Sequence, residues 1–350
     1  MNKHLQDPNL LPTIEELLRA VQPSKGCLLL YDSQIPQKVV TKIQEALDPR
    51  ATFGISGGEK IKSIDGYQKI VSWLLQKTAT SKDRLIVLGG GSLIDLGGFV
   101  ASTYHRGMKL ELIPSTLLAM VDASIGGKNG INIDGIKNVV GTIYQPSAIF
   151  ICPGLLDSFS KEELLYSVPE MVKHALLDSE SHFHAIEEHF KKGNWTDLIE
   201  RSARFKSALV HNTSEKRDLL NLGHTIGHAI EGVLGPSCSH GSAVFAGLLG
   251  EIGLGVHLGL TNPEVLKRLE KLPLYSIFPD LRSISFDELF EKMVRDKKSI
   301  NGKVGVVFIK DIGSPIGVRF VDRSALEYAW GVCQMRSVQM RSVNGYQNRS

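Results

Sequence analysis

The chain predicts an α/β domain with a mainly parallel sheet over residues 1–152, followed by a mostly α-helical domain over 153–330. Three observations carry this expectation. Short apolar runs alternate with amphipathic helical stretches up to about residue 152. Beyond it, almost every segment has helical period. A length of 350 residues suits two domains.

Thr13–Val21 (TIEELLRAV) predicts a short helix in an otherwise polar, proline-punctuated start. Cys27–Tyr31 (CLLLY) is a buried-strand run that ends at Asp32, and residues 35–48 have helical period. Ala51–Ile55 predicts a second strand, with a Gly57-Gly58-Glu59 turn after it. Ser63–Gln76 reads as a helix with Ile70, Val71, Trp73 and Leu74 inward. Arg84–Leu88 (RLIVL) is a strand running into Gly89-Gly90-Gly91, where Ser92 is the expected helix cap with Asp95 three positions on. Leu110–Ile113 and Ala148–Ile151 predict the remaining strands. Helices are expected at 161–177, 180–192, 196–211, 218–234, 240–258, 263–271 and 286–296, with one late strand at Val304–Ile309. Residues 331–350, with MRSV at 335–338 and again at 340–343, predict a disordered tail.

Hydrophobic residues at 42% and charged residues at 22% describe an ordinary globular chain, and a net charge of +3 argues against a nucleic-acid partner. The N-terminus has no apolar core of a signal sequence, and no run of 18 apolar residues occurs, so a cytoplasmic protein without a membrane span is expected. Cys27, Cys152, Cys238 and Cys333 are scattered, which suits a reducing compartment and not a cysteine-built metal site.

The chemistry concentrates in Asn221–Gly241 (NLGHTIGHAIEGVLGPSCSHG). His224 and His228 are four apart on one helical face, and His240 returns after a Gly-Pro break. A lone histidine is ordinarily a hydrogen-bonded core or surface residue; three in one window point to a divalent metal. Glu170 and Lys173, at i and i+3 in SVPEMVK, would alone be a surface ion pair, but beside a two-histidine site Glu170 becomes the candidate anionic ligand. Gly89–Ser92, between a strand and a helix start, suits a dinucleotide phosphate, although the G-x-G-x-x-G pattern is absent. Val121–Asn138 (VDASIGGKNGINIDGIKN) reads as a polar loop containing Asp122, Lys128, Lys137 and Asn138, whose lysines near a Gly-Gly turn suit a phosphate or carboxylate. Lys206, Arg217, Lys297 and Lys298 add cationic groups, so the expected substrate is small and multiply anionic.

Taken together, GGGSLIDLGGFVASTYHRG (89–107), PSTLLAMVDASIGGKNGIN (114–132), GIKNVVGTIYQP (135–146), PEMVK (169–173), RDLLNLGHTIGHAIE (217–231), HG (240–241) and DKK (296–298) resemble the 3-dehydroquinate synthase family of sugar-phosphate cyclases in order and spacing. The resemblance implies a nucleotide-binding α/β domain and a helical domain with the active site in the cleft between them. It implies Glu170, His224 and His240 as ligands of zinc, or of cobalt in its place. It implies NAD+ contacts from Asp32, Glu59, Lys62, Gly89, Gly90, Gly91, Ser92, Asp95, Ser115, Thr116, Lys128 and Lys137. Substrate contacts would come from Asp122, Lys128, Asn138, Lys173, Lys206, Arg217, Asn221, His228 and Lys297 or Lys298. Arg106 would reach a phosphate across a homodimer interface. The implied reaction converts 3-deoxy-D-arabino-heptulosonate 7-phosphate to 3-dehydroquinate and phosphate. Departures from the family pattern are Ser242 where a glutamate is usual, Ser167 and Pro169 where small residues are usual, and a Lys206-to-His224 spacing about three residues short. A strand pair before Cys27 is also expected to be absent. Two rival readings of the same residues are a metal-dependent polyol or alcohol dehydrogenase and a non-catalytic relative.

Overall fold

The computed structural model describes residues 7–23, 26–193, 195–211, 214–296 and 302–347. The first half runs β1 (Asn9–Leu10), α1 (Ile14–Ala20), β2 (Cys27–Asp32), α2 (Gln37–Leu47), β3 (Ala51–Ile55), α3 (Ile64–Gln76), β4 (Arg84–Gly89), α4 (Gly91–Thr103), β5 (Lys109–Pro114), β6 (Lys128–Ile133), β7 (Ile136–Ile143) and β8 (Ala148–Ile151). The second runs α5 (Lys161–Leu165), α6 (Val168–Asp178), α7 (Glu180–Lys192), α8 (Trp195–Val210), α9 (Ser214–Asp218), α10 (His224–Leu234), α11 (His240–His257), α12 (Pro263–Glu270), α13 (Phe286–Asp296), β9 (Val304–Asp311), β10 (Ser314–Val321) and α14 (Arg323–Gln347).

The chain divides into two compact units, residues 1–160 with 195–211, and 161–194 with 212–350. The boundary therefore lies eight residues beyond the expected 152, and α8 belongs with the α/β unit. The reason is electrostatic as well as apolar: α8 carries Lys206, whose ammonium reaches Asp122.

In the first unit six strands form a wholly parallel sheet in the order β1-β8-β5-β4-β2-β3. The central strands β2 (CLLLYD) and β4 (RLIVLG) are apolar on both faces, as burial between helix layers requires. Edge strand β3 instead alternates half-buried and exposed positions. Strand order reverses between β2 and β4, so Asp32 and Gly89 end beside each other at the carboxyl edge, where α/β sheets bind ligands. Among the described residues one short strand precedes Cys27, and not a strand pair: Asn9 and Leu10 pair with Phe150 and Ile151 of β8.

Part of the stretch read as a polar loop is a hairpin, β6 against β7. Its turn is Asp134-Gly135 with φ of 49° and 78°, the left-handed pair that a two-residue hairpin turn requires.

The second unit is helical except for the antiparallel pair β9–β10, of which β9 alone was expected. Helix α11 is buried from Gly241 to Gly255 and apolar there apart from Ser242 and Glu251, the pattern of a central helix, and α6, α10, α12 and α14 pack on it. The expected disordered tail is corrected by α14, which continues through Gln347. Leu326, Ala329, Trp330, Cys333 and Ser337 recur at helical spacing and are buried, and that stripe holds the helix. All four cysteines are buried and free. No helix among the described residues is long and apolar enough to cross a membrane.

Candidate active site

In the helical unit three helix starts bring three side chains to one point. Glu170 lies in the first turn of α6, His224 opens α10 and His240 opens α11. Pro169 occupies the second position of α6, where no intrahelical N–H bond is lost, so this departure from the family pattern costs the helix nothing. The Nε2 atoms of His224 and His240 each lie 3.1 Å from Oε1 of Glu170, which is fully buried. Their other nitrogens are occupied. His224 Nδ1 donates to the Leu222 carbonyl at 3.0 Å, and His240 Nδ1 lies 3.2 Å from Glu231 Oε2. Nδ1 engagement by a carbonyl or carboxylate is how metal-ligating imidazoles are oriented, with Nε2 left to coordinate.

With its proton on Nδ1, neutral His224 turns the Nε2 lone pair towards the Glu170 carboxylate, an arrangement that suits a positive centre between them. These ligand atoms lie within 4.8 Å of one another, and a set of two imidazoles and one carboxylate fits zinc or another divalent ion with positions left for substrate. Burial would raise the Glu170 carboxyl, but the Lys173 ammonium paired with it, together with His224, holds it well below the usual carboxylate range. Burial and Lys173 push His224 down to about 4, so its imidazole is neutral. Burial opposes charge on His240, yet its hydrogen bonds to Glu170 and Glu231 raise it to about 10.

His228 lies one turn along α10, its ring 5.0 Å from that of His224 and 6.0 Å from that of His240. It forms a second group with Glu231 and His240. Asn221 Nδ2 donates to the Asp218 carbonyl, and Arg217 is exposed on α9. Lys173 is almost wholly buried. Lys297 and Lys298 lie outside the described residues.

The residues expected to contact NAD+ all lie in the α/β unit. Asp32 Oδ1 accepts the backbone N–H groups of Gln34 and Gly57, both at 3.0 Å. Ser92 does not cap α4, contrary to expectation. The cap position is Gly90, which gives no side-chain bond, and Ser92 Oγ donates to Glu59 at 2.9 Å instead. Gly90 leaves the first turn of α4 without a capping side chain, which suits a bound anion. A Cβ on Gly90 would lie 3.1 Å from Thr116, and Ser115 N–H bonds the Gly89 carbonyl. Glu59 also accepts from Asn132 at 2.7 Å.

Lys62 is buried and ties two of these groups together: its Nζ pairs with Asp95 at 2.8 Å and donates to Asn138 Oδ1. Burial raises the Asp95 carboxyl, and Lys62 acts against that rise. Asn138 adopts a left-handed φ of 54°. Asp122 sits on a single π-turn (Ala119–Ala123), and Lys206 Nζ reaches its carboxylate at 2.5 Å and its carbonyl at 2.6 Å despite the shortened spacing. Lys128 is exposed at the first position of β6, and Lys137 is exposed on β7. Arg106 is exposed in a turn where His105 and Arg106 both have positive φ.

Sequence reasoning missed two carboxylates. Glu231 follows His228 by three and His224 by seven, a helical-face spacing that was there to be read. Glu251 is buried on α11, and nothing local marks it.

The family profile "3-dehydroquinate synthase N-terminal" matches residues 52–166, and "3-dehydroquinate synthase C-terminal" matches 167–299. The chain is 38% identical over 315 residues to the 3-dehydroquinate synthase of Pyrococcus furiosus, covering 87% of this chain and 91% of that one. It is 36% identical over 325 residues to that of Thermococcus kodakarensis, covering 92% of each. Among solved structures, 2-epi-5-epi-valiolone synthase from Streptomyces hygroscopicus with NAD+ and Zn2+ bound superposes with a TM-score of 0.85 at 22% identity, covering 96% of this chain and 98% of that one. A 2-deoxy-scyllo-inosose synthase complexed with carbaglucose-6-phosphate, NAD+ and Co2+ gives 0.77 at 20%, covering 93% and 96%.

Proposed function

The chain belongs to the 3-dehydroquinate synthase family, and from that premise we propose that it converts 3-deoxy-D-arabino-heptulosonate 7-phosphate to 3-dehydroquinate and phosphate. The reaction is a transient oxidation at C5, β-elimination of phosphate, re-reduction, ring opening and intramolecular aldol closure. The match of both family profiles along one chain, with relatives 36–38% identical over most of it, is the observation that carries this reading.

Glu170, His224 and His240 would hold the metal. Asp32, the Gly89–Ser92 turn and the residues around it would hold NAD+. When bound, the two would supply electrophilic polarisation of the reacting oxygen and a hydride acceptor that is regenerated. The remaining work falls to the chain's own side chains. Lys173 keeps Glu170 ionised, so the site retains an anionic ligand. His228, within one ring contact of both ligating histidines, is placed for proton transfer. Lys206 is fixed by Asp122 and Lys62 fixes Asn138, so these polar groups are oriented before substrate arrives. Lys128, Arg106 and Arg217 are exposed cations suited to the phosphate and carboxylate of the substrate. We propose a homodimer in which Arg106 serves the partner's phosphate site, and sedimentation of the holoenzyme tests it.

The discriminating assay supplies the heptulosonate phosphate, zinc and catalytic NAD+. Release of phosphate with dehydroquinate formed and no accumulating NADH is expected. One NADH per substrate would assign the chain to the dehydrogenases of similar fold, such as the Schizosaccharomyces pombe glycerol dehydrogenase (TM-score 0.64). Zinc and NAD+ binding without turnover of any sugar phosphate would make it a non-catalytic relative.

A further inference from the structure

The N-terminus of α10, which carries His224, is held in an unusual way. Its cap residue is Gly223, in a left-handed conformation at φ 77°, and Gly223 supplies no capping side chain. The carboxylate of Glu251, from the middle of α11, takes that place. Its Oε2 accepts the N–H of Gly223 at 2.8 Å, and its Oε1 accepts those of Thr225 at 2.9 Å and Ile226 at 3.1 Å. The side chain is 1% exposed. The N–H groups of the residue before His224 and of the two residues after it are thus bonded to one buried anion. Glu251 lies eleven residues after His240, about three turns along the same helix. One rigid helix therefore carries one histidine at its start and fixes the backbone of the other. The contact is tight: a Cβ on Gly247 of α11 would lie 1.9 Å from the Gly223 carbonyl.

We propose that Glu251 is a positioning residue of the metal centre, which holds the α10 start so that His224 presents Nε2 towards Glu170 beside His240. This rests on the assignment of Glu170, His224 and His240 as zinc ligands. The carboxylate is suited to the task because it is an acceptor only and faces three donors at the positive end of a helix. Glutamine has the same shape but turns one oxygen into a donor, so at least one of the three amides loses its partner.

The test measures zinc affinity of Glu251→Gln by competition with a chromogenic chelator, together with melting of the metal-free and zinc-loaded forms. The parent protein is the control for the ligand assignment: if it retains no zinc, that assignment fails and not the role of Glu251. Given a zinc-binding parent, Glu251→Gln is expected to weaken zinc about 10–100-fold, the usual effect of losing a residue that orients a ligand. The zinc-induced rise in melting temperature should shrink with it. The visible spectrum of the Co2+-loaded variant should also differ from that of the parent, which a purely structural role would not produce. Unchanged zinc affinity and an unchanged Co2+ spectrum in a folded variant would overturn the proposal. If Glu251→Gln does not fold, Glu251→Asp keeps the charge and shortens its reach, and the same two readouts apply. Failure of both variants to fold would assign Glu251 to the stability of the whole helical unit and overturn a role specific to His224.

Discussion

Gly241→Ala adds one methyl group next to a metal ligand, and the structure sets the size of its effect. A Cβ at this position would lie 1.7 Å from the Tyr166 carbonyl oxygen and 2.8 Å from its carbon, both backbone atoms ahead of α6. Ordinary packing therefore requires the start of α11 and the segment before α6 to part by more than about 1 Å, at a cost of roughly 1–3 kcal/mol typical of overpacking. Glu170 is on α6 and His240 on α11, so the same separation falls on their 3.1 Å contact. A misplacement of about 1 Å at a reacting centre costs on the order of 10²-fold in rate. The expected result is a turnover about 100-fold lower and a zinc affinity at least tenfold weaker, with an unchanged far-UV spectrum. Phosphate release and chelator competition measure these. Zinc affinity and turnover within threefold of the parent would refute the claim that this close approach sets His240.

His240→Ala should abolish zinc retention and activity and leave the α/β unit folded; unchanged metal content by elemental analysis would overturn the ligand assignment. Lys128→Ala should cripple turnover with little change in melting temperature, because the side chain is exposed, and parental activity would end its proposed role. Zinc binding to the metal-free protein at pH 8 should release about one proton, from His240 held at about 10, and none from His224 at about 4. The sign follows from these values. His240 must lose its proton to bind, so zinc affinity rises with pH up to about 10, and calorimetry in two buffers of different ionisation enthalpy checks it.

Strands β2 and β4 and helix α11 were readable because burial on every side makes them long, almost unbroken apolar runs. The hairpin β6–β7 was hidden by its polarity, although Asp134-Gly135 flanked by isoleucines is a strong two-residue turn signal. In β10, Pro315 and Gly317 break the strand pattern at the very positions where its register shifts. The MRSV repeat drew attention from the buried stripe on α14. At the candidate site, the histidine pair was legible from a spacing of four, and Glu170 only from its neighbourhood. Ser92 was misassigned because three consecutive glycines leave the helix start undetermined by residue type. Glu251 could not be found at all from the sequence, since its partners are backbone amides 25 to 28 positions away.

The assignment of α8 to the α/β unit bears on how the protein is made and how it can be divided. Neither unit is a single stretch of chain, since the α/β unit is interrupted after residue 160 and resumes at 195. On the ribosome the sheet is complete by residue 151, but Asp122 has no Lys206 to meet until α8 has been synthesised. A fragment ending at residue 160 would deprive that carboxylate of Lys206 and leave the surface under α8 bare. No single breakpoint therefore separates the two units, and a gene fusion that exchanges one of them between relatives must cut the sequence at three places, after residues 160, 194 and 211.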